Sequence, residues 1–263
     1  MIKLYTFLLL FIHTIVFGQN SKAEITLLNS ESLEADAFYG FDSFHYAYYV
    51  KENVIYKSKG LENWQYKNIG LGKIAKIDIQ NPLKIMVFYE NFNTIVLLDN
   101  QLSEIQKINF NTLSEPIVVE AAGTASQNRI WIFNSTTKQL GLYDFQKSSY
   151  ITISRPFNEI ITHYQSDYNY FYWVNPKNEL YSCDVFGRVS PLGIIPAHDT
   201  CFIQNNQTVF YQKDTYLYQF NTSTQESIKI DLGKKTFSSY SIKEQILSIF
   251  TAKEIVNYKI TTP

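Results

Sequence analysis

The sequence predicts an all-β fold, and within that class a six-bladed β-propeller of four-stranded antiparallel blades. Three observations predict it. Beyond its first 18 residues the chain has no helical periodicity; short apolar or alternating runs rich in Tyr, Phe, Ile and Val are broken by polar clusters such as NSTTK and NPKN. That is the texture of strands joined by turns. Strongly aromatic or apolar segments (HYAYYV, LKIMVFY, RIWIF, YFYWV, TVFYQ and ILSIF) are centred on Tyr48, Val87, Trp131, Tyr172, Phe210 and Ser248. The phrase IVLLD, running from Ile95 to Asp99, returns as LGLYD from Leu140, LYSCD from Leu180 and LYQFN from Leu217. A period of about 40 residues carrying four short strands is the signature of propeller blades. A seventh blade and a β-sandwich are the alternatives.

Taken in chain order, the first element is an expected signal peptide over residues 1–18. Lys3 precedes an apolar run from Leu4 to Phe17, and small Gly18 closes it, the pattern of a secretory signal. The run is too short to span a bilayer comfortably. No Cys follows Gly18, so no direct lipid anchor is expected. Residues 19–263 are then read as a single propeller domain in a compartment outside the cytoplasm.

AEITLLNS, residues 23–30, alternates like the outermost strand of a blade. One unit reads clearly from Ile74 to Phe110: IAKIDIQ is innermost, LKIMVFY second, TIVLLD third and EIQKINF outermost. The second strand carries a nearly unbroken apolar run because it is covered on both faces by neighbouring blades. The repeated phrase is the third strand, and its Asp or Asn turns the chain towards the fourth. The sixth copy stops at its third strand, KEIVNYKITTP, with Ile260 in the Asp position. The missing fourth strand is supplied from the other end: residues 23–30 are predicted to pair with 255–261, closing the ring and covering a sheet edge.

A formal charge of −1 and the lack of a basic run of four residues exclude a general affinity for nucleic acid or anionic lipid. Cys183 and Cys201 are 18 residues apart on different predicted strands. A bridge needs Cα atoms within about 7 Å, and buried free thiols are the favoured reading.

Candidate chemistry concentrates on the predicted channel. His163 and His198 fall on or near innermost strands and could gather there with Asp167 and Asp199 as an acid–base or metal set. No HExxH, HxH, GxSxG, phosphate loop, GxGxxG, CxxC or calcium loop is present. Ordinary polar lining is therefore the expectation: no catalytic residues, no metal, no cofactor, and no enzyme. Trp131 and Trp173 lie in second strands, where packing between blades already calls for large aromatics. Leu71, Phe92, Leu113 and Phe157 fall on loops of one face, and apolar loop residues can mark a partner surface.

The blade DIQNPLKIMVFYENFNTIVLLDNQLSEIQKINF, residues 78–110, resembles a family of exported flavobacterial propellers, in which we place the plug subunit of the type 9 secretion translocon. The resemblance runs the length of the mature chain as a pattern of blades and transfers no functional residue. It implies a non-enzymatic periplasmic subunit that binds a large outer-membrane translocon barrel protein and occludes its periplasmic opening. It further implies a monomeric subunit within a hetero-complex, held at the outer membrane through that partner. No appended sorting domain is expected after the last strand. A glycan- or protein-binding propeller, or a propeller hydrolase or lactonase, is the alternative.

Overall fold

A computed structural model describes residues 23–233, 236–251 and 253–261; the expected signal peptide lies outside them. The described residues form six four-stranded sheets. The chain begins with β1 (Glu24–Ser32), then enters blade one: β2 (Ala37–Phe41), β3 (Ala47–Lys51), β4 (Val54–Lys59) and β5 (Glu62–Tyr66). Blade two is β6 (Lys76–Asp78), β7 (Ile85–Tyr89), β8 (Thr94–Leu98) and β9 (Glu104–Asn109). Blade three is β10 (Val119–Thr124), β11 (Arg129–Asn134), β12 (Gln139–Asp144) and β13 (Ser149–Thr152). Blade four is β14 (His163–Ser166), β15 (Tyr170–Val174), β16 (Glu179–Asp184) and β17 (Val189–Ile194). Blade five is β18 (Thr200–Ile203), β19 (Thr208–Lys213), β20 (Tyr216–Asn221) and β21 (Glu226–Ile230). Blade six is β22 (Ser239–Lys243), β23 (Ile246–Phe250) and β24 (Glu254–Thr261), completed by β1.

The closure is antiparallel, running from Glu24 opposite Thr261 to Ser32 opposite Glu254. It satisfies the backbone edge that β24 would otherwise present to solvent. One detail differs from the sequence expectation. β1 does not alternate in burial; it is exposed along nearly its whole length, Leu27 and Leu28 included. The register slips between Leu27 and Asn29, and such a bulge breaks the two-residue alternation. Ile25 and Ala23 alone turn towards the core, packing with Ile230, Val256 and Ile260.

The six predicted segment centres occupy equivalent places. Tyr48, Val87, Trp131, Tyr172, Phe210 and Ser248 each sit on a second strand, opposite Gly40, Ile77, Gly123, Gln165, Phe202 and Ser241 of the innermost strands. β7 and β8 are buried at every position, since each lies sandwiched between blades. Burying one aliphatic side chain of this kind contributes about 1.5–3 kcal/mol.

The repeated phrase is third-strand structure ending in a turn. Asp99 Oδ1 accepts from the backbone N–H groups of Gln101 and Ser103, both at 2.8 Å. Asp144 does the same for Gln146 and Lys147, Asp184 for Phe186 and Arg188, and Asn221 for Ser223 and Thr224. In each case a side-chain oxygen stands in for the next strand's missing backbone acceptor. Ile260 forms no such turn; it stays in β24, paired with Ile25.

Apolar clusters fill the seams between blades, and one seam is different. Between blades six and one the buried apolar set shrinks to Phe38, Ala47, Phe250 and Ile255. Beside it runs a polar ladder: Ser248 Oγ donates to Asn257 Oδ1 at 2.6 Å, and Asn257 Nδ2 donates to Asn29 Oδ1 at 2.7 Å. Cys183 and Cys201 are buried free thiols on β16 and β18. Burial pushes both thiols up to about 12.

Candidate functional site

Six innermost strands surround the channel, and their polar residues define what it can do. One cavity of about 390 Å³ is lined by Lys76, Asp78, Gln165, Ser166, Ser241 and Lys243, among others. Blade three contributes only Ala121, Ala122 and Gly123 at the middle of its innermost strand. A side chain at Gly123 would fall on Ser166 Oγ and approach Asp78. The small residues therefore let blades two and four meet. Lys76 of blade two places its Nζ 3.7 Å above the ring of Tyr164 in blade four, a cation–π contact.

His163 starts β14, and its Nε2 is closed off from solvent without a hydrogen-bond partner. Burial, with the nearby charges of Lys76 and His198, holds its pKa down at about 4. Burial also lowers Lys76 to about 8, with Asp78 opposing. His198 Nδ1 lies 2.8 Å from the carbonyl of Pro196; since a carbonyl only accepts, Nδ1 carries the hydrogen.

The two aspartates proposed to join these histidines do something else. Asp167 Oδ1 accepts from the backbone of Asn169 and Tyr170, and its Oδ2 takes the Tyr172 hydroxyl at 2.9 Å. Asp199 Oδ2 braces the turn at Asp214 N, 2.7 Å away. His163 thus feels the charges of Lys76 and His198, while Asp167 and Asp199 are taken up by backbone N–H groups and the Tyr172 hydroxyl. Among the described residues no group of three His, Cys, Asp or Glu side chains is disposed to hold a metal. Sequence reading missed Lys76, which looked like one more lysine on an alternating strand.

The four loop residues divide. Leu71 is buried in the core between blades one and two. Leu113 is half-buried against the next core. Phe157 is half-buried, its ring stacked 4.3 Å from that of Trp173, with Tyr181 5.3 Å away on Trp173. These rings and Arg155 line a groove of about 680 Å³. Phe92 alone is openly exposed, with its ring edge over Gly72. Ile69, Val118 and Ile160 are also exposed on that face. On the opposite face Phe44, Leu61, Leu83 and Phe186 stand out. No sequence signal separates these from Leu71: all are single apolar residues in polar loops.

No protein-family model matches the chain, and no curated protein sequence does. Solved structures do resemble it. A member of the DUF4221 family from Bacteroides vulgatus is 11% identical with a TM-score of 0.60, over 93% of this chain and 100% of that one. Virginiamycin B lyase from Staphylococcus aureus is 10% identical with a TM-score of 0.57, over 85% of this chain and 80% of its own. BamB from Moraxella catarrhalis is 8% identical with a TM-score of 0.52, over 90% of this chain and 100% of its own. At such identities the likeness is one of fold, and the fold hosts varied functions.

Proposed function

We propose that the chain is a non-enzymatic periplasmic propeller that docks on the large outer-membrane barrel of the type 9 secretion translocon and plugs its periplasmic opening. The observation that carries the reading is a wheel closed strand-to-strand by β1 and β24, with single apolar residues standing out of the loops of both faces. A stiff disc of this kind can occlude a wide opening, and exposed Phe92, Ile69 and Val118 give one face apolar anchors. A stable contact needs roughly 1,000 Å² or more of buried surface, within reach of a protein of 263 residues. The resemblance of the second blade to exported flavobacterial propellers supplies the identity of the partner.

A ligand-binding propeller is the second reading, favoured by the groove under Phe157, Trp173 and Tyr181. The test is affinity purification of the tagged protein from detergent-solubilised envelope, followed by mass spectrometry. A very large barrel protein is expected to copurify, and Phe92→Ser combined with Ile69→Ser is expected to weaken its recovery. Recovery of a free monomer alone overturns the plug reading.

A further inference from the structure

We propose that the seam between blades six and one is a binding site for a small uncharged saccharide, a mono- or disaccharide. The proposal does not depend on the plug reading, and its test involves no partner protein.

A cavity of about 500 Å³ opens in this seam, a size suited to a small organic ligand. Its floor is one row across the four strands of blade six: Ser241 is opposite Ser248, Ser248 opposite Asn257, and Asn257 opposite Asn29. At the place of Ser248, blades one, three, four and five carry Tyr48, Trp131, Tyr172 and Phe210, each packed against the next blade. Short polar side chains replace that bulk here, and the facing wall of blade one is equally small, with Ala47 opposite Ser58.

The row does not satisfy itself. Its hydrogen bonds run one way, from Ser248 to Asn257 to Asn29. Among the described residues, the Asn29 amide N–H groups and the hydroxyls of Ser241 and Ser58 have no protein partner, and Asn257 keeps one N–H and one lone pair in reserve. A sugar hydroxyl both donates and accepts, so neighbouring hydroxyls of one ring can follow such a row.

Two further observations favour this ligand. The β1 bulge places Asn29, and not Leu28, opposite Asn257 on the seam side; bulges beside functional sites re-aim side chains in this way. Charge at the cavity is balanced, Lys59 and Lys243 against Glu31 and Glu244. Asp42, also in the lining, is taken by Phe44 N, Tyr46 N and the Tyr48 hydroxyl. Phe41 and Ile246 add apolar surface for the C–H face of a sugar ring.

The test uses the full chain, nitrogen-labelled for NMR. Glucose, N-acetylglucosamine and cellobiose are titrated separately while the side-chain amide signals of Asn29 and Asn257 are followed, with N-acetylglycinamide as a neutral amide for comparison. A saturable shift with at least one sugar is expected. Ser248→Phe fills the cavity with the kind of ring the other seams hold, and should abolish binding without lowering the melting temperature. Asn29→Ala, on an exposed strand, should weaken binding roughly tenfold and decides the matter if Ser248→Phe does not fold. The proposal falls if the amide signals ignore all three sugars at about 10 mM, or if both variants bind like the native protein. Tighter binding of N-acetylglycinamide than of every sugar overturns the saccharide assignment.

Discussion

Lys57 Nζ lies 3.8 Å from Asp42 Oδ2, with both side chains shut away from solvent between blades one and two. Lys57 also donates to the Asn100 carbonyl of blade two at 2.8 Å and rests against the rings of Tyr46, Tyr48 and Trp64. Asp42 in turn accepts from Phe44 N, Tyr46 N and the Tyr48 hydroxyl. Burial pulls Lys57 below the usual lysine range, with Asp42 opposing it.

Removing one partner of such a pair strands the other charge. Lys57→Met is expected to cost roughly 3 kcal/mol by urea denaturation. Adding Asp42→Asn to it should cost less than the sum of the two single changes, by about 1 kcal/mol or more. Strict additivity would mean that the two charges do not sense each other.

Deleting residues 23–30 opens the wheel. It removes most of the β1 pairing and uncovers Val256, Tyr258 and Ile260. The melting temperature should fall by roughly 10 °C or more. Leu61→Ser, on a fully exposed turn, should leave it nearly unchanged. A truncated chain that melts with the intact one would place closure elsewhere.

The third-strand turns predict a chemical preference. Asp99→Ala discards an acceptor that holds two backbone N–H groups and should cost about 1–2 kcal/mol. Asp99→Asn should be nearly neutral, because Asn221 performs the same task in blade five. Equal losses in both variants would show that the negative charge, not the accepting oxygen, is what matters.

Acid stability should report on His163. Its folded pKa of about 4 lies below the ordinary 6.5, so the unfolded chain binds the proton first as pH falls. Stability is therefore fully present above about 6.5 and is lost as pH drops towards 4, by about 3 kcal/mol in all. His163→Gln should flatten that limb of the stability curve while leaving the region above neutrality little changed. An unaltered acid limb would place the titrating group elsewhere.

Much of the wheel is legible in the chain because its causes are local. A strand covered on both faces must be apolar throughout, so Ile85 to Tyr89 can be read directly. Asp99, Asp144, Asp184 and Asn221 are visible because a turn needs its acceptor at a fixed place after the strand. Even the closure could be inferred, since a copy lacking its fourth strand leaves an edge that something must cover. The channel was less legible. His163 and His198 could be named, but Asp167 and Asp199 looked equally suited to join them, and nothing local says that backbone turns claim both carboxylates.

The sequence by itself determined an all-β chain of six repeats and the strand order within a blade, because each follows from side-chain periodicity and from hydrogen bonds between near neighbours; that the repeats close head to tail as six blades, and not as seven or as a β-sandwich, was settled by the tertiary structure. Only the tertiary structure decided that Leu71 is buried while Phe92 is exposed, that Lys76 of blade two lies against Tyr164 of blade four, and that the seam between blades six and one carries a polar ladder. Those outcomes depend on which residues from distant parts of the chain are brought together when the ring closes. Small side chains at Ala121, Ala122 and Gly123 leave the room in which two distant blades touch, and that room exists only once the wheel is assembled.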